Sequence, residues 1–193
     1  MITYLTVEES LIHFKKKVWI IDKNVYNLNF DRINSIKVDD LFYTVESLEE
    51  HKTFDTYNKI LDFLFENNID RSHNLIELGG GIIGDMTAFV ASTFKRGMNL
   101  IQVPTTLLSM VDSSIGGKTG INNKYGKNMV GTFYQAKNII IDKSLLNTLP
   151  EEHMINGMAE IIKMALLKGG KLYDYVNISN PDRWDYLEEM IRM

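Results

Sequence analysis

The chain has 193 residues, 45% of them apolar and 24% charged, with a formal net charge of -4 and no cysteine. That is enough for one good-sized domain, or one domain and part of another, of ordinary globular composition. The charge argues against bulk attraction to nucleic acid or to an anionic membrane, and the missing cysteines exclude disulfides and thiolate chemistry.

The opening residues, MITYLTVEES, lack the basic and apolar blocks of a signal peptide, and the apolar runs are too short to span a bilayer, so a cytoplasmic protein is expected. VWIID (18–22) is a short continuous apolar run that predicts a strand buried on both faces, and LFYTV (41–45) reads the same way. Between Thr53 and Asn67, the residues Phe54, Tyr57, Ile60, Leu61, Leu64 and Phe65 recur at helical spacing. NLIEL (74–78) predicts a strand, GGGIIGD follows at once, and MTAFVASTFKR (86–96) predicts a helix. LIQVP (100–104) predicts a strand, TLLSMVDSS (106–114) a helix and NIIID (138–142) a further buried strand. PEEHMINGMAEIIKMALL (150–167) predicts a long helix with Pro150 in its first turn and acids behind it. Strands alternating with helices define an α/β domain with a mainly parallel sheet flanked by helices. The tail holds an amphipathic helix with Trp184, Leu187 and Ile191 on one side and no capping signal. It reads as a chain that stops inside a second domain, with a frayed terminal helix as the alternative.

Three segments carry candidate chemistry. Gly79, Gly81 and Gly84 satisfy G-x-G-x-x-G between a strand and a helix, where glycines let a pyrophosphate approach the backbone and the helix N-terminus offers free N–H groups. The acid expected about twenty residues later is missing, and Asp85 at the helix start would repel a phosphate set against it. A dinucleotide in a non-standard pose and a ligand-free turn both remain open. The second segment, VDSSIGGKTGINNKYGKN (111–128), fails as a P-loop: the first required glycine falls on Asp112, and GINN after Thr119 breaks a helix. Lys118 and Lys127 flank a glycine-rich turn able to hold an anion, or are solvated loop lysines. In the third, His153, Asn156, Gly157, Glu160 and Lys163 share one side of the long helix, with Met154, Ile155, Met158, Ile162 and Ala165 on the other. Gly157 in mid-helix hints at a close approach by backbone or ligand. Glu160 is a metal ligand, a base, or the partner of Lys163 at i,i+3, and spacing alone favours the ion pair. His153 lies about 10 Å from Glu160 along the axis, too far to share an ion.

LGGGIIGDMTAFVAS, KRG, QVPTTLLSMVDSSIGGKTGIN, GKNMVGTFYQ and LPEEHMINGMAEIIK stand in an order and spacing that resemble the 3-dehydroquinate synthase family, over about residues 45 to 175. The resemblance implies an NAD-binding α/β domain over residues 1–149. Residues 150–193 would begin a helical metal and substrate domain, with the site in the cleft between. It implies a lyase of the shikimate pathway that converts 3-deoxy-D-arabino-heptulosonate 7-phosphate to 3-dehydroquinate and phosphate, using NAD and a divalent metal, zinc or cobalt. The cofactor contacts it implies are Glu49, Lys52, Gly80, Gly81, Ile82, Ile83, Gly84, Asp85, Thr105, Thr106, Leu108, Lys118, Lys127, Leu145, Leu146, Asn147 and Thr148. Asp85 then becomes a ribose hydroxyl acceptor. Asp112, Lys118, Asn128 and Lys163 fall at catalytic or substrate-binding positions, and Glu160 at a metal ligand. Arg96 falls where the family reaches into a partner subunit, so a homodimer is implied.

The family's other two metal ligands are histidines in motifs of the helical domain. The four histidines here, His13, His51, His73 and His153, stand in no such motif. The chain therefore reads as the N-terminal part of the enzyme, expected to bind NAD weakly or not at all and to turn nothing over alone. An NAD-dependent polyol or alcohol dehydrogenase of the same fold, and a non-catalytic cofactor-binding fragment, are the alternatives. A partly bare apolar side near the C-terminal helices is also expected.

Overall fold

The computed structural model describes residues 1–37, 39–176 and 186–193. Six strands form one sheet: β1 (Ile2–Thr3), β2 (Lys17–Asp22), β3 (Leu41–Val45), β4 (Asn74–Gly79), β5 (Asn99–Pro104) and β8 (Asn138–Ile140), in the order β1-β8-β5-β4-β2-β3. Every pairing in it is parallel. β2 exits toward β3 on one side, whereas β4, on the other side of β2, exits toward β5. The order reverses between β2 and β4, and open parallel sheets bind ligands at such a crevice, at the carboxyl ends of the strands.

Period-two alternation divides the strand side chains between two cores. Trp19, Ile21, Ile76, Leu78, Ile101 and Val103 face one layer; Val18, Ile20, Leu75 and Leu100 face the other. The second layer is α4 (Phe54–Glu66), through Ile60 and Leu64, and α5 (Gly81–Thr93), through Ile83, Met86 and Val90. The first layer takes α1 (Val7–Leu11), α2 (Lys23–Leu28) and α3 (Phe30–Ile36) at one end. At the other it takes α6 (Glu151–Lys168), α7 (Lys171–Val176) and α8 (Leu187–Arg192). Met158, Ile161, Ala165, Leu172, Met190 and Ile191 thus share a core with the sheet. No helix among the described residues is long and apolar enough to cross a membrane.

The predicted strands and long helices are present, with several corrections. LFYTV is an edge strand, not a doubly buried one: Leu41 and Phe42 are exposed, and among the described residues no strand pairs beyond β3. The helix expected from Met86 begins at Gly81, which places Asp85 a full turn inside it rather than at its start. It ends at Thr93, and Phe94–Arg96 form a separate tight turn with Lys95 and Arg96 in left-handed conformation (φ 46° and 69°). Pro150 caps α6 instead of entering its first turn. On α6 the buried residues are Gly157, Met158, Ile161 and Ala165, whereas Ile155 and Ile162 are exposed, so the division of faces read from the sequence is rotated. Leu166 and Leu167 are also exposed, in keeping with a partly bare apolar side. Only part of TLLSMVDSS is helical in the ordinary sense: Ser109–Ser113 form a wide π-type turn. Residues 111–128 are not an open loop. They lead into a hairpin of β6 (Ile121–Asn123) and β7 (Gly126–Val130). Trp184 lies outside the described residues.

Candidate active-site cleft

The glycine turn closes β4 at the crevice. Gly80 precedes the first residue of α5, and no side chain caps that helix, so its first-turn N–H groups are left for a ligand. Space is short around the turn. A Cβ on Gly80 would stand 3.0 Å from the Thr106 methyl, and one on Gly81 would stand 3.2 Å from Ser113 Oγ. The backbone is therefore held between α5 and the Ser109–Ser113 turn, and only glycine leaves room for a phosphate beside it. Thr106 and Ser109 brace that turn by exchanging side-chain and backbone hydrogen bonds. The amide of Thr105 is bonded to the carbonyl of Gly79.

Beside the turn lies a cleft of about 420 Å³ whose lining includes Asp85, Asp112, Ser113, Lys118, Asn128 and Thr132. Three segments distant in sequence build it. Asp85 comes from α5, Asp112 from the π-type turn, and Lys118 and Asn128 from the hairpin region. The hairpin is tied down closely. A Cβ on Gly131 would stand 2.0 Å from the Thr119 carbonyl oxygen, so only glycine permits that backbone approach. The amide of Gly120 donates to the carbonyl of Asp85, and that of Asn122 to the carbonyl of Lys52.

Lys52 is the keystone under this floor. It is 3% exposed, and its ammonium donates to Asp85 Oδ2 at 2.6 Å and to Asn128 Oδ1 at 2.5 Å. Burial pushes the Asp85 carboxyl above its ordinary range, although the bond from Lys52 and the charge of Lys118 pull it down. Glu49 accepts from Asn122 Nδ2 at 2.7 Å and approaches Lys127 Nζ at 3.9 Å. Lys127 is otherwise in solvent, on the neighbouring register position to Asn128. Asn128 itself has φ 56°, which turns its side chain toward Lys52.

The helix α6 brings Glu160 and Lys163, which pair with one another as their spacing predicts. The carboxylates of Glu160 and, more weakly, Asp112 raise the Lys163 ammonium above its usual range. Among the described residues, no group of three His, Cys, Asp or Glu stands close enough to hold a metal ion. Glu160 with its lysine partner does not fit a closed zinc or cobalt site. The glycine turn with its open helix terminus, by contrast, fits a pyrophosphate.

Other expected contacts separate. Leu145 and Leu146 are buried in the core, Asn147 is exposed and Thr148 half-buried, and none of the four is in the cleft lining. Ile83 is fully buried under the turn, Ile82 is half-buried, and Leu108 is exposed. Arg96 lies on the surface outside the cleft lining. Two residues that the sequence reading passed over are built into the site. Asn122 links Glu49, Lys52 and the amide of Asn128. Glu77 sits beneath the glycine turn, and its signal was a charged residue inside the apolar run NLIEL.

The fold and the crevice define an α/β protein with an open parallel sheet and a glycine turn at the point where strand order reverses. The chain belongs to the 3-dehydroquinate synthase family: the model of the 3-dehydroquinate synthase N-terminal region matches residues 42–156. A curated 3-dehydroquinate synthase from Sulfurovum sp. (strain NBC37-1) is 50% identical over 149 residues, covering 77% of this chain and 43% of that protein. One from Campylobacter concisus (strain 13826) is 43% identical over 178 residues, covering 91% and 52%. The chain spans about half the length of the curated relatives it matches. Among solved structures, 2-epi-5-epi-valiolone synthase from Streptomyces hygroscopicus subsp. jinggangensis 5008, with NAD+ and Zn2+ bound, superposes with a TM-score of 0.86 at 24% identity. It covers all of this chain and 59% of its own. At that identity the likeness shows the shared fold.

Proposed function

We propose that this chain supplies the NAD-binding half of a 3-dehydroquinate synthase, the lyase that converts 3-deoxy-D-arabino-heptulosonate 7-phosphate to 3-dehydroquinate and phosphate. The observation that carries this is the convergence of Asp85, Asp112, Lys118 and Asn128 on one cleft beside an uncapped, glycine-walled helix terminus. Membership of the family supplies the reaction.

In this reading the first turn of α5 takes the pyrophosphate, and Asp85 accepts from a ribose hydroxyl. Glu49 and Lys127, already near one another, flank the adenosine end. When bound, NAD+ supplies reversible oxidation of a secondary alcohol of the substrate. Lys118 and Asn128 hold the anionic ends of the sugar acid phosphate through charge-assisted hydrogen bonds. Asp112 in the cleft lining, with Lys163 close enough to feel its charge, orients the reacting carbon. Residues 1–149 form the cofactor domain and 150–193 begin the metal and substrate domain. Glu160 is the one ligand offered to a zinc or cobalt ion, which would have to displace Lys163. In the same reading Arg96, exposed on its left-handed turn, reaches a partner in a cytoplasmic homodimer.

Calorimetric titration tests the cofactor assignment. The 193-residue chain should bind NAD+ weakly, and Asp85→Ala should weaken it a further tenfold or so, the worth of one charge-assisted hydrogen bond. Unaltered affinity in that variant would remove Asp85 from the cofactor site. With the sugar acid phosphate and zinc added, the chain alone should release no phosphate and accumulate no reduced cofactor. Phosphate release would show that these residues suffice, and net NAD+ reduction would favour a dehydrogenase.

A further inference from the structure

Glu77 occupies a position in which a carboxylate has no reason to be. It lies in the middle of the sheet on β4, 1% exposed, with Oε1 buried and without a hydrogen-bond partner. It lines the small cavity beneath the glycine turn with Gly80, Gly81, Gln102 and Ser113. Its Oε1 is 3.2 Å from where a Cβ on Gly79 would stand, and 3.9 Å from one on Gly84. The carboxyl therefore touches both ends of the turn proposed to hold the pyrophosphate.

The Val103 amide favours the carboxylate, but the side chains around it do not neutralise a charge. β2 contributes Asp22 and α5 contributes Asp85, both acids that oppose its ionisation. From β5 the residue opposite is Gln102, which is neutral, and the π-type turn offers Ser109 and Ser113. Lys52 is bonded to Asp85 and Asn128. Desolvation and the two neighbouring acids push the Glu77 carboxyl well above the ordinary range.

We propose that Glu77 is a positioning residue that gates the glycine turn: as the neutral acid it permits a dinucleotide pyrophosphate to bind above it, and as the carboxylate it repels that anion. The inference rests on the cofactor reading given above. A unit charge buried against the turn, in a medium less polarisable than water, opposes a phosphate by on the order of tenfold or more in affinity. Linkage makes the effect reciprocal, so a bound dinucleotide holds the Glu77 proton more tightly.

The test is NAD+ titration of the full chain and of Glu77→Gln from about pH 5 to about pH 10, with circular dichroism confirming a folded chain at each point. Affinity of the parent chain should fall by about tenfold or more as Glu77 ionises, and the Glu77→Gln chain should lack that component. Should the glutamine variant not fold, Glu77→Met removes the same proton with similar volume. Urea unfolding provides a second readout. The folded-state pKa is raised, so the contribution of Glu77 to stability is complete below the unfolded value of about 4.3 and is lost as pH rises through the folded value. The stability of Glu77→Gln relative to the parent should therefore improve with pH. Equal pH slopes of NAD+ affinity in both chains would overturn the gating role and leave the cofactor site standing. A pH effect on stability without one on affinity would likewise make Glu77 purely structural. Absence of NAD+ binding by either chain at every pH would overturn the cofactor reading and this inference with it.

Discussion

Asp142 shows how one side chain can join segments that the sequence keeps far apart. It is buried, and it accepts from the amide of Val7, the amide and hydroxyl of Ser144, and the guanidinium of Arg32. Arg32 in turn holds Glu8 through two bonds. Burial alone would raise the Asp142 carboxyl, but the bonds from Ser144, Arg32 and Val7 together outweigh it and hold the group below its usual range. Asp142→Ala leaves Arg32 paired with Glu8 but removes its buried partner and strands the Val7 amide, and should cost about 2 kcal/mol in urea unfolding. The pH dependence has a fixed sign. A depressed folded-state pKa contributes stability above the unfolded value of about 3.9, and that stability is lost as pH falls through the folded value. The alanine chain should thus approach the parent in stability only in acid, and a gap independent of pH would assign the loss to packing. None of this is legible in the sequence, because Glu8, Arg32 and Asp142 share no motif and meet only after the sheet has formed. Asp85 and Asp112 were legible as candidates because they sit in or beside glycine-rich punctuation. Lys52 was legible as a site residue but not as a buried bridge.

Elements with a strong period were readable, and those held by backbone contacts were not. The α4 pattern from Phe54 to Phe65 gives a helix within one residue of its predicted limits, with Ile60 and Leu64 buried on the sheet and Phe54 and Phe65 exposed at its ends. The β6–β7 hairpin has almost no apolar alternation: INN pairs with GKNMV, anchored by Ile121 opposite Val130. A polar ladder like this reads as a loop, and what fixes it are contacts across the chain: the close approach of Thr119 to Gly131 and the bonds to Asp85 and Lys52. On α6 the mid-helix glycine was the useful signal. The close approach that it implied is to the Leu107 side chain and the backbone after it: a Cβ on Gly157 would stand 2.5 Å from Leu107 Cβ and 2.7 Å from the Leu108 nitrogen. Gly157→Ala gains about 1 kcal/mol of helix propensity but forces α6 off the turn that carries Asp112, an overpacking cost of about 1–3 kcal/mol. The net effect should be a lower Tm. Asn156→Ala, on the exposed side, should instead raise Tm slightly, since only the propensity gain applies there. A Gly157→Ala chain as stable as the parent would show that α6 can withdraw without cost.

At the scale of the molecule, alternating strands and helices made the parallel sheet legible, but not the order in which its strands lie. That order matters, because the reversal between β2 and β4 opens the crevice where the glycine turn stands. Lys52 couples this crevice to the hairpin: its side chain holds Asp85 on α5 and Asn128 on β7, while its carbonyl holds Asn122. Lys52→Met keeps the volume and removes the charge, so it leaves a largely buried carboxylate unpaired and should destabilise the chain by about 3 kcal/mol at neutral pH. The loss should be pH-dependent in a definite direction. Burial already raises the Asp85 carboxyl, and removing Lys52 raises it further, so the penalty is small where Asp85 is protonated and grows as pH rises through its folded-state value. The double variant Lys52→Met with Asp85→Asn should recover much of the loss, because no unpaired charge then remains. Hydrogen exchange separates this coupling from a local defect. In Lys52→Met the amides of β6 and β7 should exchange faster together with those of the first turn of α5, while β4 and β5 keep their protection. Acceleration confined to the hairpin would show that Lys52 anchors β7 alone, and that cleft and cofactor turn are stabilised independently.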